Sequence, residues 1–406
     1  MSFLQYLPKN IKIRHKYLDR SLPFIGKDIV KIFTGQRRAG KSYMLYQMIN
    51  YISNNYPDAT IIYINKELPD FRFIKNYNDL MDYAMQNKSE SGNYLFIDEV
   101  QEIADFEKAL RGLMSAGDFD IWCSSSNAQL LSGDISGLFS GRSVNIHVNT
   151  LNFTEFIDFH DLTDDYSSLN LYLQYGGLPY LRNLELKDEI IFDYLKNIYS
   201  TILYKDIISR HNIRNTRFLE DLVSYIADNT GSLVTSNNIS KYLKSQLINI
   251  STARILEYLK FMTDAFFLIK IPRADLKGKR FFEIGEKYYF NDIGLRNVIS
   301  GYHPNDIAKI LENIVLLHML SSGYSAFVGF VGNKEIDFVF EKNNKRIYIQ
   351  VAYQISDEKV YQREFGNLKL VRDNYPKFVV SLDPVNLGEV DGIMHIQLID
   401  FLKSSL

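Results

Sequence analysis

The sequence has only one cysteine among its 406 residues, Cys123, so it cannot form an intramolecular disulfide bond, which fits a reducing compartment. It has no apolar run near the roughly 18 residues that a transmembrane helix needs. The longest useful run, Ala265–Ile271, is strand-sized and contains Lys270. Neither charge is in excess, with 46 Lys and Arg against 48 Asp and Glu, so no global field attracts nucleic acid or anionic lipid. The first residues also lack the layout of a secretion signal. These absences predict a cytoplasmic protein with no membrane partner.

Recognisable metal-ligand spacing is missing as well. The seven histidines show no such spacing and the single cysteine stands alone, so no zinc site is indicated. Apolar residues are plentiful, because 46% hydrophobic residues are enough for buried cores. The length predicts two or three domains.

A phosphate-binding loop (P-loop) is the most informative pattern that is present. Residues 29–34 form an apolar segment, and Gly35-x-x-x-x-Gly40-Lys41-Ser42 follows it directly. The glycines let backbone N–H groups surround a phosphate chain, and the next helix points its positive end at the same place. Lys41 is expected to pair with the β- and γ-phosphates and to assist catalysis, and Ser42 to hold Mg²⁺. The alternative is a strand–helix turn that binds nothing. We predict a site for ATP, or for GTP, formed by Gly35, Gln36, Arg37, Arg38, Ala39, Gly40, Lys41, Ser42 and Tyr43.

A second motif supplies the acids that nucleotide hydrolysis needs. Tyr94–Ile97 is an apolar strand followed by Asp98 and Glu99, a Walker B pattern. The carboxyl ends of buried parallel strands meet where ligands bind, so Asp98 is expected to hold Mg²⁺ together with Ser42. Glu99 is expected to act as the general base for the attacking water. The alternative is an acidic turn after a core strand.

Two further catalytic residues are predicted on weaker patterns. Strand 120–123 leads into a polar stretch, and by analogy with additional-strand ATPases Ser125 is predicted to sense the γ-phosphate, with Asn127 in reserve. A plain polar turn is the alternative. Arg142 is predicted to be an arginine finger, acting in cis or on a neighbouring subunit, or else a surface arginine.

These motifs resemble those of a clade of predicted AAA+ ATPases from bacteria and archaea. The resemblance rests on four segments: Gly35–Ser42, Ile97–Gln101, Gly141-Arg142 followed by Leu151–Phe156, and Gln174–Pro179. Two departures are Thr150, where proline is usual, and Asn152, where serine is usual. The resemblance extends over essentially the whole chain. It implies an ATPase with an appended C-terminal module of restriction-endonuclease-like fold.

The predicted fold class is α/β, with a P-loop NTPase parallel sheet, a helical and winged-helix middle, and a C-terminal endonuclease-like α/β domain. The predicted domains are residues 1–160 (ATPase), 161–215 (helical lid or linker), 216–300 (winged-helix-like) and 301–406 (endonuclease-like). In the third domain, helices near 217–229, 236–244 and 251–264 precede strands at 265–271 and 280–284. Three helices followed by a β-hairpin are typical of a winged helix.

The wing, residues 270–287, carries six basic side chains against three acidic ones. This predicts weak, non-specific DNA contact at most. A scaffolding or partner-binding role is the favoured alternative.

The C-terminal module has half of a nuclease site. Glu312 lies on an apolar helix and Asp337 on a strand, but Gln350 and Ala352 stand where a metal-binding carboxylate and a lysine are expected. We predict an inactive nuclease fold that offers a surface for a protein partner. An active nuclease that uses Asp337 and Glu312 is the rival hypothesis. An arginine finger acting in trans would require a homo-oligomer.

Overall fold

The computed structural model describes residues 8, 10–90, 92–128, 141–245, 250–278, 280–281, 285–355 and 358–404. The chain forms two compact units. Unit 1 is Met1–Val148 with Asp264–Phe266, and unit 2 is Asn149–Thr263 with Phe267–Leu406. No helix in the described ranges is long and apolar enough to cross a membrane.

Unit 1 is built on a five-stranded parallel sheet, which confirms the predicted α/β class. Its strands are β1 Val30–Thr34, β2 Thr60–Asn65, β3 Asn93–Asp98, β4 Phe119–Ser125 and β5 Ser143–His147. Their order across the sheet is β2-β3-β4-β1-β5. The strand before the P-loop is therefore flanked by β4 and β5, and β3 lies beside β4.

Alternation along these strands divides the apolar residues between two cores. The helices of unit 1 are α1 His15–Ser21, α2 Lys41–Asn55, α3 Tyr77–Gln86 and α4 Phe106–Ala116. On one face, residues such as Ile32 and Ile97 pack with α3 and α4. On the other face, Phe33, Phe96 and Trp122 pack with α1 and α2. Burial on both faces explains why the strands are almost continuously apolar.

Unit 2 begins with helices and short strands. Its first helices are α5 Phe153–His160, α6 Tyr166–Tyr175, α7 Asp188–Thr201, α8 Thr216–Asp228, α9 Ser236–Ser245, α10 Thr252–Asp264 and α11 Ile293–Ser300. A π-helix, Ile202–Ser209, continues α7. The strands are β6 Leu233–Val234, β7 Leu268–Ile271, β8 Arg273–Asp275, β9 Arg280–Phe281 and β10 Glu286–Phe290. β6, β10 and β7 form an antiparallel sheet.

The prediction for the hairpin of the wing is wrong about its second strand. The partner of β7 is β10, whereas β9 pairs with β8 and joins another sheet. Residues 282–284 of the expected strand and Lys279 of the wing lie outside the described residues. The winged-helix assignment itself stays a prediction.

A second sheet organises the C-terminal part of unit 2. Its further elements are α12 Ile307–Ser321, β11 Ser325–Val331, β12 Lys334–Lys342, β13 Lys345–Ala352, α13 Glu358–Lys369, β14 Lys377–Ser381, β15 Glu389–Val390, β16 Ile393–Gln397 and α14 Leu398–Lys403. The strand order is β15-β16-β14-β13-β12-β11-β8-β9. The division into two units does not resolve the predicted domain boundaries at 160, 215 and 300, which stay predictions.

Candidate nucleotide-binding site

The P-loop connects the end of β1 to the start of α2. Gly35 has φ +147°, and a Cβ atom there would lie 2.2 Å from the carbonyl oxygen of Val148, so only glycine fits. Gly40 has φ +101° and caps the N-terminus of α2. The sequence thus places its glycines where the chain needs a left-handed turn and a close backbone approach.

Lys41 begins α2 and is buried. Its Nζ donates to the carbonyl oxygen of Gln36 at 3.1 Å and lies 3.7 Å from Oε1 of Glu99. The P-loop lysine and the predicted general base, 58 positions apart in sequence, are therefore neighbours at one edge of the sheet. Parallel pairing of β1, β4 and β3 explains this, because it brings all three carboxyl ends to that edge.

Asp98 ends β3 and Glu99 follows it, and hydrogen bonds with the Ser124 side chain hold both residues. Ser124 Oγ donates to Oδ1 of Asp98 and accepts the backbone N–H of Glu99 at 2.9 Å. The Ser42 hydroxyl also lies near enough to Asp98 to favour the ionised form of the carboxylate. The two predicted Mg²⁺ ligands, Ser42 and Asp98, are thus neighbours.

The two adjacent acids have opposite pKa shifts. Burial, followed by the charge of Glu99, raises the pKa of Asp98 above its ordinary value. Burial would also raise the pKa of Glu99, but the Lys41 ammonium, the Gln101 amide and Arg37 together lower it. Glu99 is therefore the acid that stays ionised most readily.

Two residues to which the sequence analysis assigned no catalytic role hold the Glu99 side chain. Ser126 Oγ donates to Oε2 of Glu99 at 2.9 Å, and Gln101 Nε2 donates to the same oxygen. Ser126 follows β4, and Gln101 lies in the turn after Glu99. Residues two positions apart on a strand lie on the same face, so the position of Ser126 relative to Ser124 could have indicated that it lies near the acids.

Ser125 does not contact the acidic pair. It is fully buried at the end of β4, opposite Thr34, and its Oγ accepts the backbone N–H of Asn127 at 3.1 Å. Successive strand residues point to opposite faces, so Ser124 and Ser126 meet the acids and Ser125 does not. Its sensor role stays a prediction without support from these contacts.

Arg142 lies at the opposite edge of the sheet. Its carbonyl oxygen accepts the backbone N–H of Val30, and Ser143 is in register with Val30. β5 runs parallel to β1, so Arg142 lies at the end of the strands where Val30 begins β1. Four residue steps, roughly 13 Å, separate Val30 from Thr34, the last residue before the P-loop. The prediction that Arg142 acts in cis is therefore wrong, and a role in a neighbouring copy stays a prediction.

The remaining loop residues differ in exposure. Arg37 is buried and its Nη1 donates to Oε1 of Glu67 at 2.8 Å, whereas Arg38 is exposed with φ +68°. Ala39 is fully buried, and its carbonyl oxygen accepts a hydrogen bond from Nη1 of Arg14 at 3.2 Å. Tyr43 is 44% exposed on the first turn of α2. Arg14 thus supports the loop from outside the motif.

The residues present fit a nucleotide with its metal ion. The Gln36 amide is only 2% exposed, and its side-chain oxygen and nitrogen have no hydrogen-bond partner within the described part of the chain. An unpaired buried amide inside a P-loop is explained if a phosphate group approaches it. No group of three or more His, Cys, Asp or Glu in the described ranges could hold a metal ion. Ser42 and Asp98 alone suit Mg²⁺, which is usually bound by one or two protein groups together with substrate phosphates.

Comparison with known families agrees with this site. A family described as an AAA domain matches residues 27–157, which include the P-loop, Asp98 and Glu99. A domain of unknown function (DUF8612) matches residues 166–306. The fold, the site and the family match together identify residues 27–157 as a P-loop domain of the AAA type.

Relatives that match over nearly the full length give the family of the whole chain. An uncharacterized protein of Haemophilus influenzae is 33% identical over 399 residues, covering 96% of this chain and 98% of that protein. The chain belongs to the same family as that protein. An uncharacterized protein of Methanocaldococcus jannaschii is 29% identical over 406 residues, covering 93% of this chain and 88% of the relative. The solved Walker-type ATPase of Pyrococcus abyssi covers 71% of this chain and 96% of its own, with 14% identity and a TM-score of 0.47, too low to carry a functional conclusion.

Proposed function

We propose that this protein hydrolyses ATP with Mg²⁺ and couples its nucleotide state to the engagement of a partner. One observation carries the hydrolysis: Lys41, Ser42, Asp98 and Glu99 meet at a single sheet edge, with Ser42 near Asp98 and Lys41 Nζ at 3.7 Å from Oε1 of Glu99. Phosphate-binding, metal-binding and water-activating groups are the set that phosphoryl transfer to water needs.

Each residue has a distinct task in this proposal. Ser42 and Asp98 would hold Mg²⁺, which neutralises phosphate charge when bound. Lys41 leaves its contact with Glu99 to pair with the phosphates. Glu99, which Ser126 and Gln101 orient, then accepts the proton of the attacking water.

The test is steady-state turnover of ATP and GTP by the full chain, with Lys41→Ala, Glu99→Gln and a matched control. Lys41→Ala is expected to abolish nucleotide binding, and Glu99→Gln to bind ATP but turn it over at least roughly tenfold more slowly, since it loses a general base. Glu102→Gln is the control, because it neutralises an exposed acid three positions away. Turnover by Glu99→Gln at the rate of the unmodified protein would contradict the assignment.

The contacts of the wing favour a protein partner over DNA. Lys270 pairs with Glu286 at 2.6 Å, Lys287 is buried against Glu335 at 2.8 Å, and the Arg273 guanidinium lies 4.2 Å from the ring centroid of Phe330. Basic groups that are already paired within the protein are less available to phosphates. The ATPase assay therefore includes duplex DNA at low and high salt. Salt-sensitive stimulation by DNA would favour the rival function, a nucleotide-switched DNA-binding protein.

A further inference from the structure

The buried arginine of the P-loop is paired with an acid that lies outside both nucleotide motifs. Arg37 follows β1, and its side chain is only 6% exposed. Its Nη1 donates to Oε1 of Glu67 at 2.8 Å, and Glu67 lies two residues beyond the end of β2. The Glu67 side chain is 40% exposed. The pair therefore joins a buried cation of the loop to an acid near the surface.

This ion pair spans the carboxyl ends of two other strands. In the sheet order β2-β3-β4-β1-β5, the strands β4 and β3 separate β1 from β2. Three strand spacings of about 4.8 Å give roughly 14 Å between β1 and β2. β3 ends at Asp98, directly before Glu99, and β4 leads into Ser126. The contact between Arg37 and Glu67 thus crosses the edge at which the acids of the site lie.

Hydrogen bonds at the end of β2 hold Glu67 beside this edge. Asn65, the last residue of β2, is in register with Asp98. The backbone N–H of Lys66 donates to the carbonyl oxygen of Asp98 at 3.2 Å, and that of Glu67 donates to Oδ1 of Asn65 at 2.9 Å. The Asn65 amide is itself held, because its Nδ2 donates to the Tyr63 hydroxyl at 3.0 Å.

The backbone of the loop also brings Arg37 towards Glu99. The carbonyl oxygen of Gln36, the residue before Arg37, accepts a hydrogen bond from Nζ of Lys41. The same Nζ lies 3.7 Å from Oε1 of Glu99. Burial alone would raise the pKa of Glu99, whereas the Lys41 ammonium lowers it most strongly. The positive charge of Arg37 contributes to the same lowering of the pKa, which agrees with this placement.

The γ-phosphate is the part of a bound nucleotide that lies within reach of this position. Lys41 pairs with the phosphates in the proposed reaction, and the water that Glu99 activates attacks the γ-phosphorus, so the γ-phosphate lies between these two residues. Arg37 crosses the same edge. A guanidinium binds phosphate oxygens through two parallel N–H donors, and such charge-assisted bonds are strong. ADP has no γ-phosphate, so ATP offers Arg37 an anion that ADP does not.

We propose that Arg37 is the residue by which this chain distinguishes ATP from ADP: its guanidinium leaves Glu67 and binds the γ-phosphate. This inference rests on the nucleotide site of the proposed function. Glu67 holds the buried cation when the γ-phosphate is absent, and it competes with that phosphate for the guanidinium. Arg37 then supplies in cis the positive charge on the transferred group that Arg142 cannot supply from the opposite edge.

The experiment is calorimetric titration of the full chain with Mg²⁺ and either ADP or the β,γ-imido analogue of ATP, which keeps the γ-phosphate but resists hydrolysis. Arg37→Ala is expected to bind the analogue at least roughly tenfold more weakly, because it loses a charge-assisted bond, and to bind ADP within about twofold of the unmodified protein. Arg72→Ala is the matched control. It removes an exposed arginine from the segment after Glu67 and should change neither affinity.

A second variant predicts a change of the opposite sign. Glu67→Gln should bind the analogue roughly threefold more tightly, because the competing acid is gone and a partly exposed ion pair is weak, and its affinity for ADP should not change. In a protein that also carries Arg37→Ala, the same substitution should affect neither nucleotide. This double variant separates competition for Arg37 from a general effect of removing negative charge.

Equal weakening of both nucleotides by Arg37→Ala would overturn the proposal, and so would unchanged binding of the analogue. If Arg37→Ala folds poorly, an unchanged affinity of Glu67→Gln for the analogue overturns it instead. Turnover measured in parallel keeps the two proposals apart. A chain that does not hydrolyse ATP, yet loses affinity for the analogue alone with Arg37→Ala, would contradict the ATPase and support the role of Arg37. Failure of the unmodified protein to bind either nucleotide would contradict both.

Discussion

At the scale of single residues, three consecutive serines at the end of β4 have different partners. Ser124 bonds Asp98 and the backbone of Glu99, Ser126 bonds the Glu99 side chain, and Ser125 bonds the backbone of Asn127. Side-chain alternation explains the division, because the first and third serines lie on the face that carries the acids. The positions of both acids therefore depend on hydrogen bonds with Ser124.

Replacing Ser124 with alanine should reduce both stability and turnover. The change leaves the buried N–H of Glu99 without an acceptor, which costs about 1–3 kcal/mol, and removes a donor from Asp98. Unfolding of unit 1 can be followed by the fluorescence of Trp122, the only tryptophan of the chain, and turnover by phosphate release. Ser125→Ala is the matched control at an equally buried position. A larger loss of turnover in Ser125→Ala would instead support the sensor role predicted for Ser125.

At the scale of elements, helix α5 shows how a departure from a family pattern is accommodated. Asn152 stands where the resemblance leads one to expect serine, and its side chain accepts the backbone N–H of Glu155 at 2.8 Å. The Glu155 side chain accepts the backbone N–H of Asn152 in return, which completes a capping box. Asparagine and serine cap helices about equally well, so the departure leaves the start of α5 intact.

Asn152→Ala is expected to destabilise unit 2 by about 1 kcal/mol, since the first turn of α5 loses its cap. Asn152→Ser should stay within a few tenths of a kcal/mol of the unmodified protein. Scanning calorimetry of both variants measures the difference. Equal destabilisation by serine and alanine would show that the amide makes a contribution other than capping.

At the scale of the whole molecule, His147 should make the stability of unit 1 depend on pH. It ends β5, with Nδ1 3.5 Å from Oγ1 of Thr34 at the last residue before the P-loop. Burial, followed by the charges of Lys41 and Arg20, lowers the pKa of His147 to about 4. The unfolded chain binds this proton near its ordinary value of 6.5, so the folded state loses stability as pH falls from 6.5 towards 4.

Unit 1 should therefore unfold more easily in this acidic range, by up to about 1.4 kcal/mol per pH unit from this histidine. Urea unfolding, followed by Trp122 fluorescence from pH 4.5 to 7.5, measures the slope. His147→Gln should reduce the slope, whereas His15→Gln, at an exposed position, should leave it unchanged. An identical slope in all three proteins would show that His147 is not the responsible group.

The sequence by itself determined the parts of this protein that short segments encode. Gly35, Gly40, Lys41 and Ser42 are recognisable because a P-loop is one continuous turn with fixed backbone needs. The acids Asp98 and Glu99 are recognisable because they directly follow four apolar residues of a buried strand. From these segments the parallel α/β fold and the core of the nucleotide site followed.

Only the tertiary structure decided what depends on strand order and on contacts distant in sequence. The parallel pairing of β5 with β1 placed Arg142 at the wrong edge for a cis finger, and pairing between β3 and β4 gave Ser124 and Ser126 their roles. The meeting of Lys287 with Glu335 likewise required two sheets to pack within unit 2. Such contacts leave no local pattern, because they depend on which elements pack together.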